Sequence, residues 1–352
     1  MCKQHDQNTC FAHERIVAQQ LGPKFLPGPI CENVGSREPV STLFLGVDGG
    51  QSSTTALIGD ETGRVLGMGA GGPCNHVGAA EGRQKLARAV QESVDKACAQ
   101  ASIDPRSARF EAACFGMSGG PADKQAILAE VIPARILVVT HDALIALAGA
   151  TGGEPGVITI AGTGSIAFGR NGSGETARAG GWGYLFGDEG GGFDIVRQAI
   201  RAALRFEECW GPSTALHAVL LEAAGARDAN EALHIFYTLD WPRPRVAALA
   251  ERVDEAALQG DAVARDILHN AAQNLAALCM SVRSRLWKPG EAARIASVGG
   301  VFRSRMLSER FRMLLELEEG NRCVPALYGP AAGALLEAYR AAGLSPNLSG
   351  AN

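Results

Sequence analysis

The chain has 352 residues, with 33 basic and 37 acidic side chains and a formal net charge of −4. This length predicts two domains or one duplicated unit, and the charge balance offers no basic surface of the kind that binds nucleic acid. The sequence has no apolar run long enough to span a membrane and no signal-peptide core near its N-terminus. Its nine cysteines are scattered without a CxxC pair, so we expect reduced thiols in a cytoplasmic protein rather than a zinc or iron–sulfur centre.

Residues 1–40 are polar and interrupted by prolines, so we expect a mobile N-terminal extension outside the main fold. The stretch 43–58 has the pattern strand, tight turn, strand, and residues 65–68 continue it as a third antiparallel strand. Apolar residues at helical spacing then predict a helix over 79–101. Strands and helices alternate after it, at 110–117 (strand), 122–130 (helix), 135–140 (strand) and 143–150 (helix).

A similar pattern restarts after residue 150. The strand 156–161 ends in a second glycine turn with hydroxyl groups, formed by Gly162, Thr163, Gly164 and Ser165, and 166–169 returns as its partner. Residues 193–288 are mainly helical, and the last expected elements are a strand at 294–298, a helix at 304–317 and a helix at 330–342. Because strand, glycine turn and strand occur twice, we expect a repeated α/β unit whose two turns face each other across a cleft and clamp a phosphate.

The first glycine turn adds a carboxylate to this arrangement. It comprises Asp48, Gly49, Gly50, Gln51, Ser52 and Ser53. Glycines let the backbone approach a ligand closely, and free N–H groups and hydroxyls bind phosphate oxygens. A carboxylate next to a phosphate suits Mg²⁺, whose ligands are carboxylate, water and phosphate oxygens. An ordinary hairpin turn is the alternative, because Asp-Gly is itself a strong hairpin signal.

Seven short segments together carry a family resemblance: GVDGGQSST (46–54), NH (75–76), THDA (140–143), AGTGSIA (161–167), GGWGYLFGDEGGG (180–192), VGGVF (298–302) and PAAGAL (330–335). In this order and spacing the chain, from 43 to 342, resembles the N-acetylglucosamine kinases of the BadF/BadG/BcrA/BcrD ATPase group. That group lies in the superfamily of sugar kinases, heat-shock chaperone ATPases and actin. The resemblance implies two ribonuclease-H-like (actin-like ATPase) α/β domains flanking a nucleotide and sugar cleft. The first would span 41–150 and the second, with a helical insertion, 151–330, while the last helix, 331–342, would pack back on the first.

The resemblance also implies ATP and Mg²⁺ as cofactors, and phosphorylation of an amino sugar, N-acetylglucosamine above all, at its 6-hydroxyl. Gly49, Gly50, Gln51, Ser52 and Ser53 would then cradle the transferred phosphate, with Asp48 holding Mg²⁺ through water. The residues implied for the opposite phosphate wall and the adenosine loop are Gly162, Thr163, Gly164, Ser165, Gly299, Gly300 and Phe302.

Asp142 is the candidate general base, because it follows an apolar strand and precedes a helix, at what would be the edge of a cleft. Its alternative role is to cap the helix 143–150, since aspartate is a favoured N-cap residue. The residues that the resemblance implies for sugar binding are Asn75, His76, Asp142, Thr163, Gly181, Trp182, Asp188 and Glu189. Trp182 would offer an apolar plate to the sugar ring, with a buried core position as its alternative. An exposed charged turn is the alternative for Asp188 and Glu189.

Several alternatives stay open at this point. Cys74 and Val77 depart from the family pattern near the place where the substituent on C2 of the sugar should lie, so glucosamine, N-acetylmuramic acid and glucose remain candidate substrates. An ATPase that activates a 2-hydroxyacyl-CoA dehydratase-type enzyme would need paired cysteines near the cleft; Cys114 is the only candidate near a strand end, and no partner for it is evident. A sugar sensor built on a kinase scaffold and an actin-like polymer are two further hypotheses. The sequence leaves open whether the protein forms a homodimer.

Overall fold

The structure is a computed structural model that describes residues 42–74, 80–119, 124–238 and 240–351. The predicted N-terminal extension, 1–40, lies outside the described residues, as do Asn75, His76 and Val77. None of the helices in the described ranges has the length and hydropathy needed to span a bilayer.

The described residues contain two five-stranded sheets. The strands are β1 (Leu43–Gly49), β2 (Thr54–Gly59), β3 (Val65–Gly71), β4 (Phe110–Met117), β5 (Ala134–His141), β6 (Gly156–Ala161), β7 (Ser165–Arg170), β8 (Thr176–Gly180), β9 (Ala293–Val298) and β10 (Asn321–Cys323). The first sheet has the order β3-β2-β1-β4-β5, and the second has the order β10-β9-β6-β7-β8.

The two sheets repeat one topology. In the first, β1 is antiparallel to β2 and parallel to β4, and in the second β6 is antiparallel to β7 and parallel to β9. Each glycine turn therefore connects the central strand of its sheet to the next strand, in equivalent positions. This confirms the predicted repeat of strand, glycine turn and strand.

Eleven α-helices lie in the described ranges: α1 (Ala80–Gln100), α2 (Gln125–Val131), α3 (Asp142–Thr151), α4 (Gly192–Glu207), α5 (Leu216–Ala224), α6 (Ala229–Phe236), α7 (Arg243–Ala248), α8 (Ala250–Leu258), α9 (Ala262–Leu286), α10 (Arg305–Leu315) and α11 (Pro330–Ala341). Helices α1 and α2 cover one face of the first sheet with an apolar core. Helix α9 packs against β6, β7 and β8 of the second sheet, α10 packs on α9, and the helices from α4 to α8 pack on α9 or on one another. The helical segment after the second glycine turn is therefore where the sequence predicted it.

Helix α3 links the two sheets. One side of it packs on the second sheet, where Leu147 contacts an apolar cluster that includes Ile158 and Phe168. The other side packs on α11, which in turn covers β1, β2 and β4 of the first sheet. A Cβ placed on Gly333 would lie 1.8 Å from the carbonyl oxygen of Ile145, so the backbones of α11 and α3 touch directly. The position of α3 thus depends on a glycine in α11.

A buried ion pair makes a second link between the halves. Arg170, at the end of β7, donates two hydrogen bonds to the carboxylate of Glu337 in α11, at 2.9 Å and 2.8 Å. Both side chains are buried. A bidentate pair in such a site fixes the orientation of its partners as well as their distance. It ties the second sheet to the helix that covers the first.

Two strands, β8 and β10, escaped prediction. Their sequences are TARAG and NRC, which lack the apolar run that marks a buried strand. Both lie at an edge of the second sheet, where one side of the strand has no neighbour and the sequence can be polar. Strand β8 carries Arg178, which lines the cleft between the two sheets.

Candidate active site

A cleft of about 1000 Å³ receives residues from both halves of the fold. Gln51 and Asp142 line it from the first sheet, while Thr163, Arg178 and Asp188 line it from the second. Its size is at the upper end of what small-molecule sites show. The two glycine turns therefore face one cavity, as the sequence predicted for Gln51 and the 162–165 turn.

The topology explains why Asp48 and Asp142 come to one edge of the first sheet. In the first sheet β1, β4 and β5 run parallel, and Asp48 is in register with Gly116, which is in register with Thr140. The carboxyl ends of parallel strands open at the same edge of a sheet, where ligands bind in α/β folds. Asp48, Ser118 and Asp142 come to that edge from three adjacent strands.

The carboxylate of Asp142 is held at both oxygens. Its Oδ2 accepts a hydrogen bond from the Ser118 hydroxyl at 2.8 Å, and its Oδ1 accepts one from the backbone N–H of Ala143 at 2.9 Å. Helix α3 begins at Asp142 itself, so the N-cap position belongs to His141, whose side chain makes no capping hydrogen bond. The side chain of Asp142 is exposed to the cleft. Asp142 is thus the first residue of α3 rather than its N-cap, and its carboxylate faces the cleft while it accepts one N–H of the helix; its role as the base stays a prediction.

Ser118 is a site residue that the sequence reasoning missed. It follows β4 in a Ser-Gly-Gly segment, and its N–H donates to the carbonyl of Gly49 at 3.1 Å. This contact fixes the end of β4 against the first glycine turn, while the hydroxyl reaches Asp142. The available signal was a serine at the end of a buried strand, but its partner follows only from the register of β4 and β5.

Asp48 is partly buried close to Asp142. Burial, and after it the negative charge of Asp142, raise the pKa of Asp48 to about 6. When it is ionised, the carboxylate of Asp48 repels a second anion and is stabilised by a nearby cation. A phosphate that carries a bound magnesium ion would therefore be attracted to this carboxylate.

The raised pKa of Asp48 predicts a pH-dependent stability. The native state favours the protonated carboxyl, so this contribution is complete below the ordinary pKa near 3.8 and is lost as the pH rises through about 6. The variant Asp48→Asn cannot lose a proton. We expect its free energy of unfolding, relative to that of the wild-type protein, to increase between pH 4 and pH 7 when both are measured by urea titration without Mg²⁺. A difference that stays constant over this range would contradict the burial of this carboxylate.

The first glycine turn is a tight loop. The N–H of Gly50 donates to the carbonyl of Ser53 at 2.9 Å, and the side chains of Gln51, Ser52 and Ser53 are exposed. A Cβ on Gly49 would lie 2.3 Å from the sulfur of Met117, so a larger residue here would have to displace that buried side chain. Of the described residues in this turn, Gln51 is the one that lines the cleft.

The second glycine turn presents backbone donors. Its carbonyls at Gly162 and Thr163 accept from the N–H groups of Gly192 and Phe193, at 2.8 Å and 3.1 Å, which anchors the turn to the start of α4. In the described part of the chain, the N–H groups of Thr163 and Gly164 have no acceptor. Adjacent N–H groups of this kind bind phosphate oxygens. The two N–H groups are therefore suited to the phosphate binding predicted for this turn, which stays a prediction.

Asp188 lies beneath the second turn and is only 8% exposed. A Cβ on Gly164 would lie 2.4 Å from a carboxylate oxygen of Asp188, and the N–H of Ser165 points to that carboxylate at 3.4 Å. Its backbone has φ = 65°, a left-handed conformation that aspartate adopts more readily than most residues. Asp188 lines the cleft, so the exposed-turn alternative is wrong for it. Glu189 is exposed and, among the described residues, lies outside the lining of the cleft.

Trp182 is 65% exposed, so the buried-core alternative is wrong. The guanidinium carbon of Arg178 lies 4.5 Å from the centre of its ring and covers one face. Neighbouring Gly181 lines the cleft with φ = 71°. The contact between Trp182 and a sugar stays a prediction. One face of the indole ring is covered by Arg178, so a sugar would have to pack on the other face.

The segment predicted to bind adenosine begins at Gly299. Its φ is 110°, and a Cβ there would lie 2.2 Å from the carbonyl oxygen of Ala161, so only glycine fits between β9 and β6. The ring of Phe302 packs edge-on against Phe311, with centroids 5.0 Å apart. A Cβ on Gly300 would meet open space. Within the described ranges these three positions, 299, 300 and 302, lie outside the lining of the cleft, and their role in adenosine binding stays a prediction.

Comparisons with known proteins identify the family of the chain. The sequence profile of the BadF/BadG/BcrA/BcrD ATPase family matches residues 45–338. An N-acetylmuramic acid/N-acetylglucosamine kinase from Clostridium acetobutylicum is 31% identical over 279 residues, which are 78% of this chain and 90% of that relative. An N-acetyl-D-glucosamine kinase from Dictyostelium discoideum is 30% identical over 264 residues, which are 69% of this chain and 80% of that relative.

A solved structure gives the same result for the fold. A Chromobacterium violaceum protein with the provisional name N-acetylglucosamine kinase superposes with a TM-score of 0.67 at 27% identity, covering 85% of this chain and 99% of that one. This similarity confirms the predicted fold class, two actin-like ATPase halves on either side of a cleft. The matched residues, 45–338, include both glycine turns, Asp142 and Asp188. The chain therefore belongs to the BadF/BadG/BcrA/BcrD ATPase family.

Proposed function

We propose that this protein is an ATP-dependent kinase that phosphorylates the 6-hydroxyl of an N-acetylated amino sugar, with N-acetylglucosamine as its first substrate. The observation that carries the proposal is the position of Asp142. Its carboxylate is held by Ser118 and opens into the same cleft as the donor-bearing turn at Thr163 and Gly164. A positioned base facing a phosphate-binding turn is what phosphoryl transfer to an alcohol requires.

In the proposed reaction, the sugar 6-hydroxyl attacks the γ-phosphorus while the carboxylate of Asp142 accepts its proton. A bond forms between O6 and phosphorus, the bond from phosphorus to the β,γ-bridging oxygen breaks, and ADP leaves with that electron pair. The N–H groups of Thr163 and Gly164, together with the turn at 49–53, would bind the phosphate oxygens as charge shifts toward ADP. Asp188 would accept hydrogen bonds from sugar hydroxyls.

Magnesium would be held by Asp48 through water and would neutralise charge on the phosphates. The site fits such an ion, because β1 and β5 bring Asp48 and Asp142 to the same edge of the first sheet, where burial, and after it the charge of Asp142, raise the pKa of Asp48. Within the described ranges, no cluster of three or more histidine, cysteine, aspartate or glutamate side chains is arranged to hold a metal ion alone. Mg²⁺ commonly takes one or two carboxylates and completes its shell with water and substrate phosphates.

The choice of N-acetylglucosamine rests on the two relatives whose names include this sugar and on Asp142 and Asp188, which face one cavity. N-acetylmuramic acid and glucosamine are the nearest alternatives. An ATPase activator with an iron–sulfur cluster is disfavoured by Cys114. That thiol is fully buried between the first sheet and α11, where burial raises its pKa well above the ordinary range. It offers no thiolate at a surface where two subunits could share a cluster.

A coupled assay of ADP release, with ATP and Mg²⁺, tests the proposal. The sugars to compare are N-acetylglucosamine, N-acetylmuramic acid, glucosamine, N-acetylmannosamine and glucose. We expect ADP release to depend on an N-acetylated amino sugar. ADP release that is the same with every sugar and without any would reject a sugar kinase.

Ser118 supplies a sharper test of the base assignment. In Ser118→Ala the carboxylate of Asp142 loses the hydroxyl donor and keeps the backbone hydrogen bond from Ala143, so its orientation loosens. A hydrogen bond to a charged group is worth about 1.5–3 kcal/mol, so we expect kcat to fall roughly 10-fold or more. KM for ATP should change little, and Ser118→Thr, which keeps a hydroxyl, should recover part of kcat. A wild-type kcat in Ser118→Ala would show that this hydrogen bond does not orient the base.

A further inference from the structure

The loop that carries Asp188 is followed by a second buried aspartate, Asp194. It lies in the first turn of α4 and is 5% exposed. Among the described residues it lies outside the lining of the cleft, so the proposed chemistry gives it no contact with a substrate. Burying a carboxylate costs free energy unless donors surround it, so its partners indicate what it holds in place.

Three donors surround the carboxylate of Asp194. Its Oδ2 accepts from the backbone N–H of Gly190 at 3.1 Å and from Nε2 of Gln198 at 2.8 Å. Its Oδ1 accepts from Nη2 of Arg197 at 2.6 Å. An acidic side chain in the first turn of a helix is usually explained by the helix dipole, but this one also reaches back to Gly190, which precedes α4. The carboxylate therefore joins α4 to the loop in front of it.

Arg197 extends this connection to the other end of the loop. Its Nη1 donates to the backbone carbonyl of Tyr184 at 3.3 Å, while its Nη2 bonds to Asp194. The ring of Tyr184 also packs edge-on against Phe193, with centroids 5.5 Å apart. Asp194 and Arg197 together therefore hold both ends of the segment 184–190.

Asp188 lies inside this segment in a conformation that needs support. Its φ of 65° is in the left-handed region, which costs a non-glycine residue free energy and persists where the surrounding structure holds it. Gly183 and Gly190, on either side, have φ values of 81° and 76°. Glycine restricts the backbone least of all residues, so this segment can adopt other conformations once its contacts are lost.

We propose that Asp194 and Arg197 are positioning residues for the sugar: they fix the segment 184–190 so that the carboxylate of Asp188 faces the cleft. The proposal rests on the proposed function, in which Asp188 accepts hydrogen bonds from sugar hydroxyls. The second glycine turn has separate backbone anchors, from the N–H groups of Gly192 and Phe193. Loss of the pair should therefore weaken the binding of the sugar more than that of ATP.

The variant Arg197→Gln tests this by steady-state kinetics. Glutamine is too short to bridge Asp194 and the carbonyl of Tyr184, and the arginine side chain is 36% exposed, so the variant should fold. Since hydrogen bonds to a buried charge are lost, we expect KM for N-acetylglucosamine to rise about 10-fold, with KM for ATP within about twofold of wild type. Arg197→Lys keeps the positive charge beside Asp194 and should recover part of the sugar KM.

A matched control removes the same kind of ion pair elsewhere. Arg252 pairs with Glu255, three residues along α8, at 2.8 Å, and both side chains are exposed. Among the described residues neither lines the cleft. Arg252→Gln should keep both KM values.

Hydrogen–deuterium exchange of the full chain judges the contacts without turnover. In Asp194→Asn and in Arg197→Gln, we expect exchange in the segment 184–190 to become about 10-fold faster or more, because local opening costs less when its holding contacts are lost. Exchange in β4 and β6 should keep its wild-type rate.

Three results would overturn the proposal: unchanged exchange of this segment in both variants, faster exchange with an unchanged sugar KM, or an equal rise in both KM values. The last would mean that the pair supports the second half of the fold in general. A wild-type protein that phosphorylates no sugar would reject the proposed function instead, and the exchange experiment would still decide whether Asp194 and Arg197 hold the segment.

Discussion

Replacing Asp142 with asparagine should reduce kcat by about 10²- to 10⁴-fold, the usual contribution of a positioned general base. The amide keeps the shape of the side chain and can still accept from Ser118 or Ala143, so the local structure at the start of α3 should survive. What it loses is the ability to take a proton from the attacking hydroxyl. Steady-state ADP release with the preferred sugar measures kcat, and nucleotide binding by calorimetry should stay near the wild-type value.

A matched control distinguishes the loss of any one negative charge from the loss of the charge on Asp142. Asp266 is an exposed aspartate on α9, and among the described residues it lies outside the cleft lining. Asp266→Asn should keep wild-type activity. If Asp142→Asn were to keep wild-type turnover as well, Asp142 would not be the base, and His141, which lines the same cleft, would be the next group to examine.

The second large effect is expected from Gly333→Ala, and it falls on stability. Alanine is favoured over glycine in a helix by about 1 kcal/mol. Here, however, the new Cβ would lie 1.8 Å from the carbonyl oxygen of Ile145 and 2.4 Å from the amide nitrogen of Gly149. Both are backbone atoms of α3, so the helices must move apart rather than rotate a side chain. Overpacking commonly costs 1–3 kcal/mol, and a clash with two backbone atoms belongs at or above the upper end of that range, so after the gain in helix propensity we expect a net loss of about 2 kcal/mol or more in the free energy of unfolding.

Urea denaturation measures this loss, and Gly329→Ala serves as its control. Gly329 precedes α11 with ordinary backbone angles, and a Cβ there would have no atom within 4 Å. Its replacement should change stability by less than about 1 kcal/mol. Gly333→Ala should also lower kcat, because movement of α3 carries Asp142 with it. Wild-type stability in Gly333→Ala would mean that α3 and α11 do not approach as closely as described.

Much of the fold was predictable because its central strands are buried on both faces. Runs such as 110–117 and 156–161 are almost wholly apolar, and they form β4 and β6 with the predicted bounds. The glycine turns were equally visible, since Asp-Gly-Gly and Gly-Thr-Gly-Ser each interrupt such a run. Asp142 was found because it follows an apolar strand, and parallel strands bring their ends to one edge.

The missed features depend on tertiary contacts that leave no local pattern. The hydrogen bond from Ser118 to Asp142 exists because β4 and β5 are in one particular register. Arg178 reaches the cleft from an edge strand with a polar sequence, and its orientation depends on Trp182 in the following loop. Asp188 is buried beneath Gly164 with a left-handed backbone conformation, and the residues around Asp188 do not predict that conformation.

The most direct test of the central claim is to identify the product formed from N-acetylglucosamine, ATP and Mg²⁺ by phosphorus–proton correlation NMR. We expect a new phosphate ester whose phosphorus couples to the protons on C6 of the sugar, formed in step with ADP. Coupling to the anomeric proton instead would mean that the cleft presents a different hydroxyl to Asp142. Inorganic phosphate as the sole phosphorus product would contradict sugar phosphorylation altogether.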